Sequence, residues 1–128
     1  MSLSDLEHAV FAYFVAEHAE TFNIANRYYP HGELLLTWED KFNVAIRKFG
    51  TRARMKAKAA ATAFLDLLIE RGGYSTKTND FGGTMHAFQV DDYRRVVREL
   101  KDTDPLILKA KDGGPDFWAD TFAELTRD

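Results

Sequence analysis

Seven lysines and arginines fall between residues 41 and 58 with no acid among them. They are Lys41, Arg47, Lys48, Arg52, Arg54, Lys56 and Lys58. Cations at this density can neutralise phosphates, and arginine can also reach guanine edges. The flanks have the opposite sign. Residues 1–40 carry seven acids and one base, residues 102–128 carry seven acids and three bases, and the chain has a net charge of −3. The sum alone argues against a polyanionic partner, but the distribution carries more information than the sum. On a helical wheel Arg52 and Lys56 point away from the apolar stripe, while Arg54 and Lys58 flank it. The block therefore reads equally well as a phosphate-binding surface or as a solvated helix end with its stems lying over the core.

Other chemistry is sparse. The four histidines, His8, His18, His31 and His86, show none of the i, i+3 or i+4 spacing of helical metal ligands. His86 reads as an ordinary cross-strand partner of Thr76. Neither Phe81-Gly82-Gly83 nor Asp112-Gly113-Gly114-Pro115 has the downstream lysine and hydroxyl residue of a phosphate loop. Asp80-Phe81-Gly82 matches three letters of a kinase motif, but the catalytic-loop sequence that should accompany it is missing. The pairs Glu39-Asp40 and Asp91-Asp92 sit at helix starts, where the dipole accounts for them. We expect no enzyme, no metal and no cofactor.

The chain has 128 residues, 45% of them hydrophobic and 29% charged, which suits one globular domain. Ten Phe, five Tyr and two Trp can anchor a core. There is no cysteine, which excludes disulfides, zinc–thiolate sites and thiol nucleophiles. No apolar run reaches the length of a membrane span. Met1-Ser2-Leu3-Ser4-Asp5 lacks the basic start of an export signal. The expectation is a cytoplasmic protein without a membrane contact.

The elements that would position the basic block are mostly helical. Ser4-Asp5-Leu6-Glu7 is a capping box, and Leu6, Val10, Tyr13 and Phe14 follow at helical spacing, which predicts a helix over residues 4–20. Asn23, Asn26, Pro30 and Gly32 predict a loop over residues 21–32, with Tyr28-Tyr29 as its best exposed contact. Glu33 to Leu36 suits a short strand. Thr37 can cap a second helix carrying Trp38, Phe42, Ala45, Ile46 and Phe49 on one face, stopped by Gly50. Residues 52–71 predict a long alanine-rich third helix ended by Gly72-Gly73. Tyr74 to Thr78 and Thr84 to Val90, joined by Asn79-Asp80-Phe81-Gly82-Gly83, predict a β-hairpin that sets Tyr74 opposite Phe88 and Thr76 opposite His86. Asp91-Asp92 opens a helix with Tyr93, Val96, Val97 and Leu100 inward. Asp104-Pro105 and Gly113-Gly114-Pro115 read as punctuation before a last helix carrying Phe117, Trp118, Phe122 and Leu125. The fold class expected is mostly α with a small β-hairpin.

This order resembles the winged-helix branch of the helix-turn-helix superfamily. Leu34-Leu35-Leu36-Thr37 looks like the first strand leading into the second helix, and Phe49-Gly50-Thr51 like the turn. Leu65 to Tyr74 looks like the end of a recognition helix running into a wing at Lys77 to Val90. The resemblance covers residues 4–100 by element order and residues 34–90 in detail, leaving residues 101–128 as a C-terminal extension and potential dimer arm. It implies double-stranded DNA binding, with the third helix in the major groove and the wing on the backbone. The residues it singles out are Arg47, Lys48, Arg52, Arg54, Lys56, Lys58 and Lys77, on a homodimer formed through the first and last helices. The other reading is a helical interaction module whose basic block docks an acidic protein surface.

Overall fold

A computed structural model describes residues 3–22 and 28–127. Helix α1, Asp5–Glu17, begins at the expected capping box: the Glu7 amide donates to Ser4 Oγ at 3.2 Å, and the Ser4 amide donates to Glu7 Oε1 at 2.8 Å. Residues 9–15 are all buried, so α1 is enclosed on every side and forms the axis of the core. The helix expected to share a dimer surface thus has its apolar residues covered by its own chain.

After a 3-10 turn at Ala19–Thr21, strand β1, Tyr28–Pro30, leads directly into α2, His31–Ile46. Here the structure departs from expectation. The strand lies at Tyr28–Pro30, and Leu34-Leu35-Leu36 belongs to α2. Leu34 extends the four-residue stripe of Trp38, Phe42 and Ile46 backwards, and all four are buried. That periodicity outweighs the β character of a three-leucine run. Thr37 is not a cap; its hydroxyl donates back to the Glu33 carbonyl at 2.9 Å. Asn23 and Asn26, two of the expected turn formers, lie outside the described residues.

A 3-10 turn at Arg47–Phe49 and Gly50 lead into α3, Thr51–Arg54, and then α4, Ala57–Arg71. The single helix expected over residues 52–71 is broken at Met55-Lys56, where the Lys56 amide turns back to the Ala53 carbonyl at 3.0 Å. No glycine or proline marks the break. Thr51 makes no side-chain cap. Gly72 ends α4 in the left-handed region, at φ 82°.

Strands β2, Tyr74–Thr78, and β3, Thr84–Phe88, pair in the expected register, Tyr74 with Phe88 and Thr76 with His86. Their loop is held by Asn79, whose Oδ1 accepts from the Phe81 and Gly83 amides at 2.9 and 2.8 Å. β1 pairs with the other edge of β3, which gives an antiparallel sheet of order β1-β3-β2. Helix α5, Val90–Thr103, starts one residue before the expected Asp91 and buries Tyr93, Val96, Val97 and Leu100. The Tyr93 hydroxyl donates to the Ala19 carbonyl at 2.6 Å, which ties α5 to the 3-10 turn that follows α1.

Asp104-Pro105, read as punctuation, starts another helix, α6, Pro105–Asp112. Proline at the first helical position after an aspartate cap is a helix-start signature. Asp104 Oδ1 accepts from the Leu106 and Ile107 amides at 2.9 and 3.1 Å, and its Oδ2 pairs with His8 Nε2 on α1 at 2.7 Å. Helix α7, Phe117–Leu125, follows. Ile107 and Phe122 join the same buried cluster as α1, α2, α4 and α5, so the C-terminal segment packs on its own chain.

Asp104 is therefore both a helix cap and the partner of His8. Its hydrogen bond to Asp104 raises the His8 pKa against the opposing effect of burial. Burial acts to raise the Asp104 pKa, but the bonds from His8 and from the Ile107 and Leu106 amides outweigh it and hold the carboxyl low. Asp104→Ala should cost about 1–3 kcal/mol, from a lost cap and a lost part-buried partner. The sign follows from both shifts. The raised His8 contributes stability that is full below its unfolded pKa and fades as pH rises through the folded one. The lowered Asp104 contributes stability that is full above its own unfolded pKa. The penalty should thus be largest between pH ~4 and ~6.5 and shrink at pH 8. Urea midpoints at pH 5.5 and 8 test this, and an equal penalty at both would refute the pairing.

Candidate nucleic-acid interface

Six of the seven expected residues lie on the corner formed by the end of α2, α3 and the start of α4, and their side chains turn to different neighbours. Arg47 and Lys48 sit exposed on the 3-10 turn, Arg52 and Arg54 lie on α3, Lys56 at the break, and Lys58 in the first turn of α4. Lys77 lies apart on β2, with its Nζ 3.8 Å from the centroid of the exposed Tyr28 ring on β1. Tyr28 and Tyr29, expected in a loop, are strand residues.

Each basic side chain has its own surroundings. Lys48 Nζ stands 5.3 Å from the Tyr13 ring centroid and 5.2 Å from that of Phe49. Arg52 Nη1 donates to the Thr126 carbonyl at the end of α7 at 2.9 Å. Arg54 Nε donates to Asn43 Oδ1 on α2 at 2.9 Å, so a neutral amide orients the guanidinium. Asn43 carries no sequence signal of this kind, because the contact depends on how α3 folds back on α2. Lys56 adds a minor downward effect to the Glu7 pKa, which the backbone and hydroxyl of Ser4 lower first. Lys58 lines a shallow groove with Glu7, Met55 and Asp66.

Elsewhere several bases are held by carboxylates, although Arg94 on α5 and Lys109 on α6 form no ion pair among the described residues. On α5, Arg98 and Lys101 both hold Glu20, at 2.7 and 3.0 Å, and Arg95 pairs with Glu99 at 3.2 Å. On α6, Lys111 pairs with Asp102 at 3.3 Å. Among the described residues, no carboxylate forms an ion pair with Arg47, Lys48, Arg54, Lys56, Lys58 or Lys77. The outer face of α4 changes sign after its first turn, since Asp66 and Glu70 are exposed there. Along that helix the positive surface therefore ends within about 12 Å of Lys58, at a rise of about 1.5 Å per residue.

No protein family, no curated protein and no solved structure matches this chain. Among the described residues, no helix is long and apolar enough to cross a membrane.

Proposed function

We propose that the chain is a winged-helix-like module that binds double-stranded DNA through phosphate contacts at the α2–α3–α4 corner. The observation that carries this reading is the density of unpaired bases: among the described residues Arg47, Lys48, Arg54, Lys56 and Lys58 form no ion pair, whereas Arg95, Arg98 and Lys101 on α5 and Lys111 on α6 each hold a carboxylate. The sheet order β1-β3-β2, with two longer helices between β1 and the hairpin, supports the architectural half of the proposal. The acids on the outer face of α4 limit its reach. Asp66 and Glu70 oppose deep entry of that helix into a groove, so binding rests on the backbone and is weakly sequence-specific.

Fluorescence anisotropy with random-sequence duplex across a salt series tests it. Four or five phosphate contacts give a log–log slope of about −4, hence a loss of about 10²-fold between 50 and 200 mM salt. Absence of binding at about 20 mM salt would reject the reading. The same result would favour a protein partner. One observation supports that alternative: Met55 is 74% exposed beside the groove that Leu3, Ala59 and Ala63 line, next to the basic corner.

A further inference from the structure

Helix α4 has two faces. Ala57, Ala60, Ala61, Phe64, Leu65 and Leu68 point into the core. At about 100° per residue, Lys58, Ala59, Thr62, Ala63, Asp66 and Ile69 fall on the opposite side, within an arc of about 140°. Met55, just before the helix, continues that side. The middle of the face is small, and its two ends carry open apolar side chains: Met55 is 74% and Ile69 41% exposed. A groove of about 520 Å³ runs along it, with Leu3 and Glu7 from the start of the chain as its other wall. Among the described residues neither Lys58 nor Asp66 forms an ion pair.

The side chains on this face are placed symmetrically about Thr62. Lys58 and Asp66 stand four residues to either side of it, and Met55 and Ile69 seven. Within one chain Lys58 and Asp66 are about 12 Å apart along the axis, at about 1.5 Å per residue, which is too far to pair. A second α4 laid antiparallel, with Thr62 at the crossing, removes that separation. Lys58 of each copy then meets Asp66 of the other, and Met55 of each covers Ile69 of the other. A parallel arrangement would set Lys58 against Lys58 and Asp66 against Asp66. A face that complements itself in one orientation suits the two-fold interface of a symmetric dimer, where every contact occurs twice. Ala59, Thr62 and Ala63 let the two axes approach to about 8 Å.

We propose that the outer face of α4 is a dimer interface whose partner is a second copy of this chain, packed antiparallel about Thr62. Unlike the apolar residues of α1, which their own chain buries, Met55 and Ile69 have their surface open. Covering two Met55–Ile69 pairs supplies the apolar contribution. The two reciprocal pairs of Lys58 with Asp66 fix the direction, because the parallel alternative meets like charges. A two-helix contact about 20 Å long is small against the roughly 1,200 Å² that stable interfaces bury, so association in the range of about 1–100 μM is expected. The inference does not rest on the nucleic-acid reading, and the two share only Lys58.

Sedimentation equilibrium of the full chain tests the proposal, with Lys58→Asp and Asp66→Lys as variants. The unmodified chain should exchange reversibly between monomer and dimer. Each variant alone should dimerise at least about tenfold more weakly, since its dimer sets two like-charge pairs across the interface. An equimolar mixture of the two variants should associate about as well as the unmodified chain, because each charge that repels its own copy then faces the opposite sign. Both variants remain net negative, starting from −3 with a change of two units, so general attraction does not mimic this recovery. Both positions are exposed, and recovery in the mixture shows that neither variant is misfolded. An unmodified chain that stays monomeric at about 200 μM would overturn the interface. So would a dimer indifferent to both variants, or two monomeric variants that fail to associate when mixed.

Discussion

Phe14→Ala is expected to destabilise the fold by about 3–5 kcal/mol, the largest effect of any single truncation considered. Phe14 has no exposed surface and sits at the centre of the aromatic core. Its ring stacks on Phe42 with centroids 3.8 Å apart and meets Phe22, Phe64 and Trp38 at 5.5, 5.8 and 6.0 Å. Removing it strips contacts from α1, α2 and α4 at once, and interiors close-packed by rings from several elements refill a void poorly. A domain of this size is stable by about 5–15 kcal/mol, so the variant should be marginal at 37 °C. Urea unfolding should show a lower midpoint at an unchanged slope. Phe14→Leu, which keeps most of the volume, should cost far less. A loss under about 1 kcal/mol for the alanine variant would mean that α1 is not the axis of the core.

Arg54→Glu/Lys58→Glu is expected to weaken duplex binding by about 100-fold at low salt and to flatten the salt slope by about two. Both side chains are exposed and neither holds a carboxylate among the described residues, so folding should be unaffected. The control is Lys109→Glu/Lys111→Glu on α6, which changes the net charge equally at exposed positions. Equal losses in both variants would show that total charge alone drives binding, and the corner would lose its role. A loss confined to the first variant would locate the phosphate contacts.

Elements with self-contained signals were legible in the residues. Ser4 and Glu7 bond reciprocally across one turn, and both partners lie within four residues of sequence. The hairpin register follows from period-two alternation and a five-residue loop, and the observed pairing of Thr76 with His86 agrees. Gly72 stops α4 because its left-handed backbone is open to glycine at little cost. Helix α6 was missed, because Asp104-Pro105 reads as a turn as readily as it reads as a helix start. The strand at Tyr28–Pro30 was missed too. Three residues are too few for alternation, and what makes them a strand is the free edge of β3, more than fifty positions away.

The basic block divides along the same line. By itself the sequence determined that the charges cluster between residues 41 and 58 and that a helix end presents them. Only the tertiary structure decided that α3 breaks from α4, that Arg54 rests on Asn43 rather than on a carboxylate, and that Arg52 reaches Thr126. It also decided that His31 meets His86. The physical reason is range. Caps, periodicities and turn residues are local hydrogen-bond and packing preferences, written within one or two turns of chain. Which side chain meets which across elements depends on how the buried faces of α1, α2 and α4 fit together, and no short window of sequence contains that fit.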